Sequence, residues 1–218
     1  MESLFYKKIA PSSNDAAVEV EYIGNEELPT TPSFKMEVKS LAKPQTNHGR
    51  FLPAGGRDFE EGSYEFDLDT SSNSYEFQFN VNENESNRDI QQKIARLINT
   101  SDVGLSAQVV DNDRGNMSAL VITSRHTGLA EGEEKLFDIH SDTSWNEIEK
   151  LGINHITTPA ENSSFTLNGQ EHSSLSNNFT INQSFEVNLR GPTPEDDPAV
   201  IGFKTNTDAV ADSVDSLL

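Results

Sequence analysis

Between Gly62 and Ser124 the spacing of apolar residues changes twice. Tyr75, Phe77, Phe79 and Val81 alternate with Glu76, Gln78 and Asn80, the period of two that marks a half-buried strand. Past an Asn/Glu-rich turn, Ile90, Ile94, Leu97 and Ile98 fall at i, i+4, i+7 and i+8, one apolar stripe on a helix. Ser86, three residues before Asp89, suits the N-terminus of that helix, and Asn99 suits its stop. The period then returns to two, with Leu105, Ala107 and Val109 against Ser106, Gln108 and Val110. A polar turn from Asp111 to Asn116 leads into a second strand, Ala119 to Thr123. The pattern predicts hairpin, helix, hairpin: a small sheet with one helix across a face. So short a helix is marginal alone, so its apolar stripe has to dock on the sheet.

The rest of the chain reads as further strands. Ala16–Ile23 alternates weakly, and Phe34, Met36 and Val38 alternate with Lys35, Glu37 and Lys39. Lys43 to Gly49 contains breakers and reads as a connection, and so does Asn25 to Pro32. Pro53 to Gly62 is rich in Gly and Pro and marks a domain boundary. Leu136–Ile139 adds one strand. Trp145, Ile148 and Leu151 sit at i, i+3 and i+6, a short helix ended by Gly152, with Trp145 expected as a core anchor. Phe165 and Leu167 run into Asn168-Gly169, a strong hairpin signal. Strands over Phe179–Ile181, Phe185–Leu189 and Val200–Thr205 follow. A last helix, capped by Thr207, has Val210, Val214, Leu217 and Leu218 on one face. The fold class is therefore mainly β with few helices (α+β).

Composition narrows the function. The chain has 218 residues and is 33% hydrophobic, which suits thin β layers with long polar turns. Its 36 acidic and 16 basic residues give a net charge of −20. The basic residues form no cluster, so neither nucleic acid nor an anionic membrane surface is an expected partner. Without cysteine, disulfides and thiolate metal sites are excluded. No apolar run approaches the ~18 residues of a membrane span, and no signal peptide is visible at the start. The expectation is a chain that is cytoplasmic, exported by a route not written in it, or part of something longer.

No residue pattern asks for catalysis. The histidines at 48, 126, 140, 155 and 172 form no i, i+4 pair. Asp138-x-His140 and Glu171-His172 come nearest to metal spacing and are read as loop residues. Asp111, Asp113 and Gly115 echo a calcium loop without its full spacing, and a hairpin turn explains them. No nucleophile elbow, phosphate loop or dinucleotide fingerprint is present. No catalytic, cofactor-binding or metal-binding residue is expected, and no cofactor.

Three separated segments carry a resemblance. Ile98, Asn99, Gly104, Leu105, Ala107, Leu120, Ile122, Ser124, Thr127 and Gly128 resemble the repeat of flagellins and hook-associated proteins. Phe34, Met36, Val38, Leu41, Ala42, Gln45 and Phe51 resemble the strand and Leu-Ala-x-x-Gln signature of flagellar filament cap proteins (hook-associated protein 2). Phe165, Leu167, Asn168, Gly169, Ser176, Asn177, Val187 and Leu189 resemble a later segment of the same family. Gln183-Ser184-Phe185 departs from the family's Gly-Val-Thr there. The resemblance implies the central outer domains of a cap protein, without the helical ends. It implies a structural, non-enzymatic role at the filament tip outside the cell, with flagellin and further copies of itself as partners. Lacking the anchoring helices, this stretch is expected to be a monomer or weak oligomer. The expected organisation is a β-rich domain from residues 1–52 and 133–218, with residues 53–132 inserted. The alternative readings are a surface adhesin-type binding domain, for which Tyr64, Tyr75 and Trp145 are the candidate aromatics, or the variable outer domain of a flagellin.

Overall fold

Alternation becomes strand nearly wherever it occurs. The computed structural model describes residues 11–24 and 33–202. In chain order its elements are β1 (Val18–Tyr22), β2 (Phe34–Ser40), β3 (Pro44–His48), β4 (Leu52–Pro53), β5 (Gly62–Thr70), β6 (Ser74–Val81), α1 (Asn87–Ser101), β7 (Leu105–Asp111) and β8 (Met117–Thr127). They continue as β9 (Phe137–His140), α2 (Trp145–Leu151), β10 (Ser163–Leu167), β11 (Gln170–Ser174), β12 (Asn178–Ile181), β13 (Phe185–Leu189) and β14 (Ala199–Ile201). The architecture is mainly β, and every strand pairing is antiparallel. The expected C-terminal helix and the end of the strand before it lie outside the described residues.

The chain packs as two units, one inserted in the other's sequence: Lys43–Glu161, and a split unit from Met1–Ala42 and Asn162–Leu218. The boundaries expected at 52/53 and 132/133 both fall inside the inserted unit. Hydrogen bonding explains the difference: β3 and β4 pair with β8, β9 pairs with β5, and α2 buries Ile148 and Leu151 in the same core. Pro and Gly between Pro53 and Gly62 mark a connection inside the unit.

In the split unit two sheets, β1-β13-β12 and β11-β10-β2-β14, share one core. Val18, Val20, Phe185, Val187 and Leu189 come from one sheet; Phe34, Met36, Val38, Phe165, Ala199 and Ile201 come from the other. Phe34 and Phe185 meet edge to face at 6.0 Å and Phe165 stacks on Phe179 at 4.9 Å. Asn168-Gly169 turns β10 into β11 with both residues at positive φ, 50° and 84°, the backbone that an Asn-Gly hairpin turn needs.

The inserted unit sets α1 against strands from two sheets, β6-β5-β9 and a second in which β8 pairs with β3, β4 and β7. The two predicted hairpins are present, but in different sheets, which corrects the single small sheet expected. Ile90, Ile94 and Ile98 of α1 are fully buried among Phe66, Phe77 and Phe79 on one side and Leu105, Leu120 and Ile122 on the other. One apolar stripe, about two turns long, thus closes the core between both hairpins. Ser86 and Asp89 form a reciprocal cap at the start of α1. The helix passes the expected stop at Asn99 and ends at Asp102, whose backbone turns left-handed (φ 51°) ahead of Gly104.

Lys43–Gly49, expected as a connection, holds β3. Its inward residues are Gln45 and Asn47, buried to 0% and 1% exposure, so an apolar pattern could not reveal it. Gln45 reaches 92 residues along the chain: its Nε2 donates to the Phe137 carbonyl (2.9 Å), while Oε1 accepts from the amides of Leu136 (2.8 Å) and Phe137 (3.3 Å). Nε2 also donates to Asn47 Oδ1 (3.0 Å), whose Nδ2 donates to the Ile153 carbonyl (2.9 Å). Asn99 and Asn177 repeat the device, each holding the N–H and C=O of one residue, Ala107 and Ala42. A carboxamide offers the same donor and acceptor as a peptide group, so each side chain serves as a one-residue strand. Removing a buried partner costs about 1–3 kcal/mol for each group left unsatisfied. Gln45→Ala is expected to lower unfolding stability by roughly 3 kcal/mol or more, read as a shift in urea midpoint. A loss under about 1 kcal/mol would contradict the role given to this amide.

Candidate functional site

The outward face of β6-β5-β9 concentrates charge. Phe66, Leu68, Phe77, Phe79, Phe137 and Ile139 point into the core, so the residues between them face out. Register sets Asp67 opposite His140 and Asp69 opposite Asp138 across β5 and β9, and Asp67 opposite Glu76 across β5 and β6. Like charges placed directly opposite one another on neighbouring strands are unfavourable, and this face answers them locally. His140 Nε2 lies 2.8 Å from Asp69 Oδ2, its Nδ1 lies 3.8 Å from Asp67, and Lys135 pairs with Asp138 at 3.2 Å. Ser74 donates to Asp69 at 2.5 Å.

These contacts set the titration. The Ser74 hydroxyl and then His140 hold the Asp69 carboxyl below its ordinary value. The hydrogen bond to Asp69 raises His140, against a smaller effect of burial. Glu76 is pushed up, chiefly by the neighbouring Glu65. Asp69, Asp138 and His140 each present a ligand atom, all within 4.8 Å of one another; they are the group among the described residues with the atoms to hold a metal ion. Each is already engaged by a neighbouring side chain, and the geometry explains itself as a charge-balancing cluster.

The sequence brought only Asp138 and His140 to notice. Asp69 joins them because strand register, not chain proximity, sets the face. Its signal was the alternation Phe66, Asp67, Leu68, Asp69, a strand with an acidic side. The other residues singled out do not converge. Glu171 pairs with Lys39, and His172 stacks on Phe165 at 5.9 Å. His155 bonds to Glu149 at 2.9 Å, and His48 lies against Phe51 at 5.4 Å. Asp111, Asp113 and Gly115 belong to the β7–β8 turn, where Asn112 Oδ1 accepts from the amides of Asn116 and Met117 at 3.0 Å.

Trp145 is 60% exposed, which corrects its expected place in the core. At 100° per residue it points about 120° away from Leu151 around the helix, and Ile148 and Leu151 alone face inward. Tyr64 stacks on Phe79 at 5.6 Å and donates its hydroxyl to the Glu60 carbonyl at 2.6 Å; Tyr75 packs against the same core. The three aromatics form no common exposed platform. Among the described residues no helix is long and apolar enough to cross a membrane.

No family model matches the sequence, and no curated protein matches it. Solved structures do match. The D1-D2-D3 domains of the flagellar cap protein FliD from Escherichia coli superpose with a TM-score of 0.65 at 17% identity, covering 99% of this chain and 62% of that one. The D2-D3 domains of the E. coli protein give 0.64 at 17% identity, covering 91% of this chain and 99% of that one. FliD (HAP2) from Pseudomonas aeruginosa gives 0.62 at 16% identity, with 93% of each chain covered. The chain therefore has the fold of the D2-D3 domains of flagellar cap proteins across nearly its whole length, and it spans less than two thirds of the longer E. coli chain.

The acidic cluster makes stability depend on pH. His140, raised above its ordinary 6.5, contributes stability that is complete below that value and is lost as pH rises through its folded value. Asp69, lowered from 3.8, contributes stability that is present above that value and is lost as pH falls through its folded value. The pair is at full strength between those limits. His140→Ala is expected to destabilise at pH 5.5 by less than about 1 kcal/mol, because the pair is solvent-screened, and by less still at pH 8.5. Urea midpoints of both proteins, with a chelator present, measure this; an equal loss at both pH values would refute it.

Proposed function

We propose that the chain forms the outer domains of a flagellar filament cap, a structural part that assists flagellin assembly at the filament tip, outside the cell. The observation that carries this reading is the match to cap-protein D2-D3 domains over 91% of this chain and 99% of theirs. The motif residues agree with it and have structural duties here. Gln45, Asn99 and Asn177 are the amides that bind main chain across the fold, so the resemblance falls on residues a common fold needs. The partners in this reading are flagellin and further copies of the intact protein, and no catalytic step is assigned.

Two measurements test the reading. Antibodies raised against this chain and applied to filaments of the source cells should place gold label at the distal end of each filament. Label along the whole filament would make the chain an outer domain of flagellin, and label elsewhere on the cell would favour an adhesin. The isolated chain, 24.1 kDa, is expected to sediment as a monomer at low micromolar concentration. A stable ring there would show that these domains assemble without further segments.

A further inference from the structure

We propose that the free edge of β6, beside α1, is a groove for an extended acidic peptide segment that adds to the sheet as a further strand. Among the described residues β6 pairs only with β5, so one side of its backbone has no described strand beside it. The direction of that side is fixed by Lys93, whose Nζ donates a hydrogen bond to the Asn80 carbonyl at 2.6 Å. Both polar groups of a residue in an antiparallel strand point to the same side, and the side alternates along the chain. The main-chain groups of Gln78 therefore face the same way as those of Asn80, toward α1. An exposed edge of this kind is a template for pairing with another chain.

The space beside that edge fits an occupant. Strand and helix bound a groove of about 500 Å³, lined by Gln78, Phe79, Asn80, Lys93, Arg96 and Leu97 among others. Buried Phe79 and half-buried Leu97 give it an apolar floor. Its walls hold two cations and no carboxylate. Lys93 is balanced by Glu85 at 2.7 Å. The Arg96 side chain is exposed and makes no ion pair or hydrogen bond among the described residues. In a chain of 36 acids and 16 bases, a guanidinium left unpaired at the mouth of such a groove is a place for a carboxylate from elsewhere. Paired edge hydrogen bonds would supply the register, an apolar side chain on Phe79 and Leu97 the burial, and a carboxylate at Arg96 the selection.

The test uses the full chain and a fluorescein-labelled octapeptide of alternating valine and aspartate, read by fluorescence anisotropy. The expected result is saturable binding that weakens about tenfold or more in Arg96→Glu, and by less in Arg96→Gln. A peptide with lysine in place of aspartate should not bind. Neither should an aspartate peptide N-methylated at every second residue, since methylation removes the donors that edge pairing needs. Amide exchange at Gln78 and neighbouring β6 positions should slow when the peptide is bound. No saturation with the aspartate peptide, equal affinity in Arg96→Glu, or full binding of the N-methylated peptide would each overturn the proposal. Arg96 lies on the exposed face of α1, so both variants are expected to fold, which their circular dichroism spectra check.

Discussion

A carboxamide holding the main chain of a distant residue is the interaction on which this structure turns. Gln45 binds Phe137, Asn99 binds Ala107 and Asn177 binds Ala42, in each case through both the N–H and the C=O. Asn168 adds a related contact, its Oδ1 and its own amide meeting the main chain of Lys35 at 2.9 Å. Short strands leave many main-chain groups without a ladder partner, and buried ones must be satisfied. A chain with only 33% hydrophobic residues has little apolar burial to offset failures of this kind. Polar residues that composition would assign to loops are therefore built into the interior.

The same economy shapes the packing. Each unit gathers one apolar core from the inward positions of two sheets. In the inserted unit the stripe Ile90, Ile94 and Ile98 serves both hairpins at once. A cap at Ser86 and Asp89 and a left-handed turn at Asp102 define the helix ends independently of that core. Outward positions are left for charge, and on β6-β5-β9 the register stacks carboxylates until His140 and Lys135 have to be placed among them.

Asp69 and His140, whose titration is perturbed, lie on an open sheet face and are explained by their immediate neighbours, the opposite of the converging geometry that positions a substrate. What the architecture does provide is two β-rich units, each held by its own core, in a chain that carries a net charge of −20. The lining of the α1–β6 groove includes Lys93 and Arg96 and no carboxylate, in contrast to the acidic outward face of β6-β5-β9.

Local patterns were enough for much of the secondary structure. The period-two runs at Phe34–Val38, Tyr75–Val81 and Phe165–Leu167, the stripe on α1, the Asn168-Gly169 turn and the Gly152 stop all lie where spacing and turn chemistry put them, because neighbours a few residues apart decide them. The sequence also determined what the protein lacks the residues for, a thiolate site or a disulfide. Tertiary structure alone decided the rest. β3 is a strand because Gln45 and Asn47 find partners 92 and 106 residues away; Trp145 is exposed because only Ile148 and Leu151 of its helix meet a core; Asp69 stands beside His140 because β5 and β9 pair in one register. Each depends on a contact between distant parts of the chain, and periodicity records only which way a residue faces, never what it will meet there.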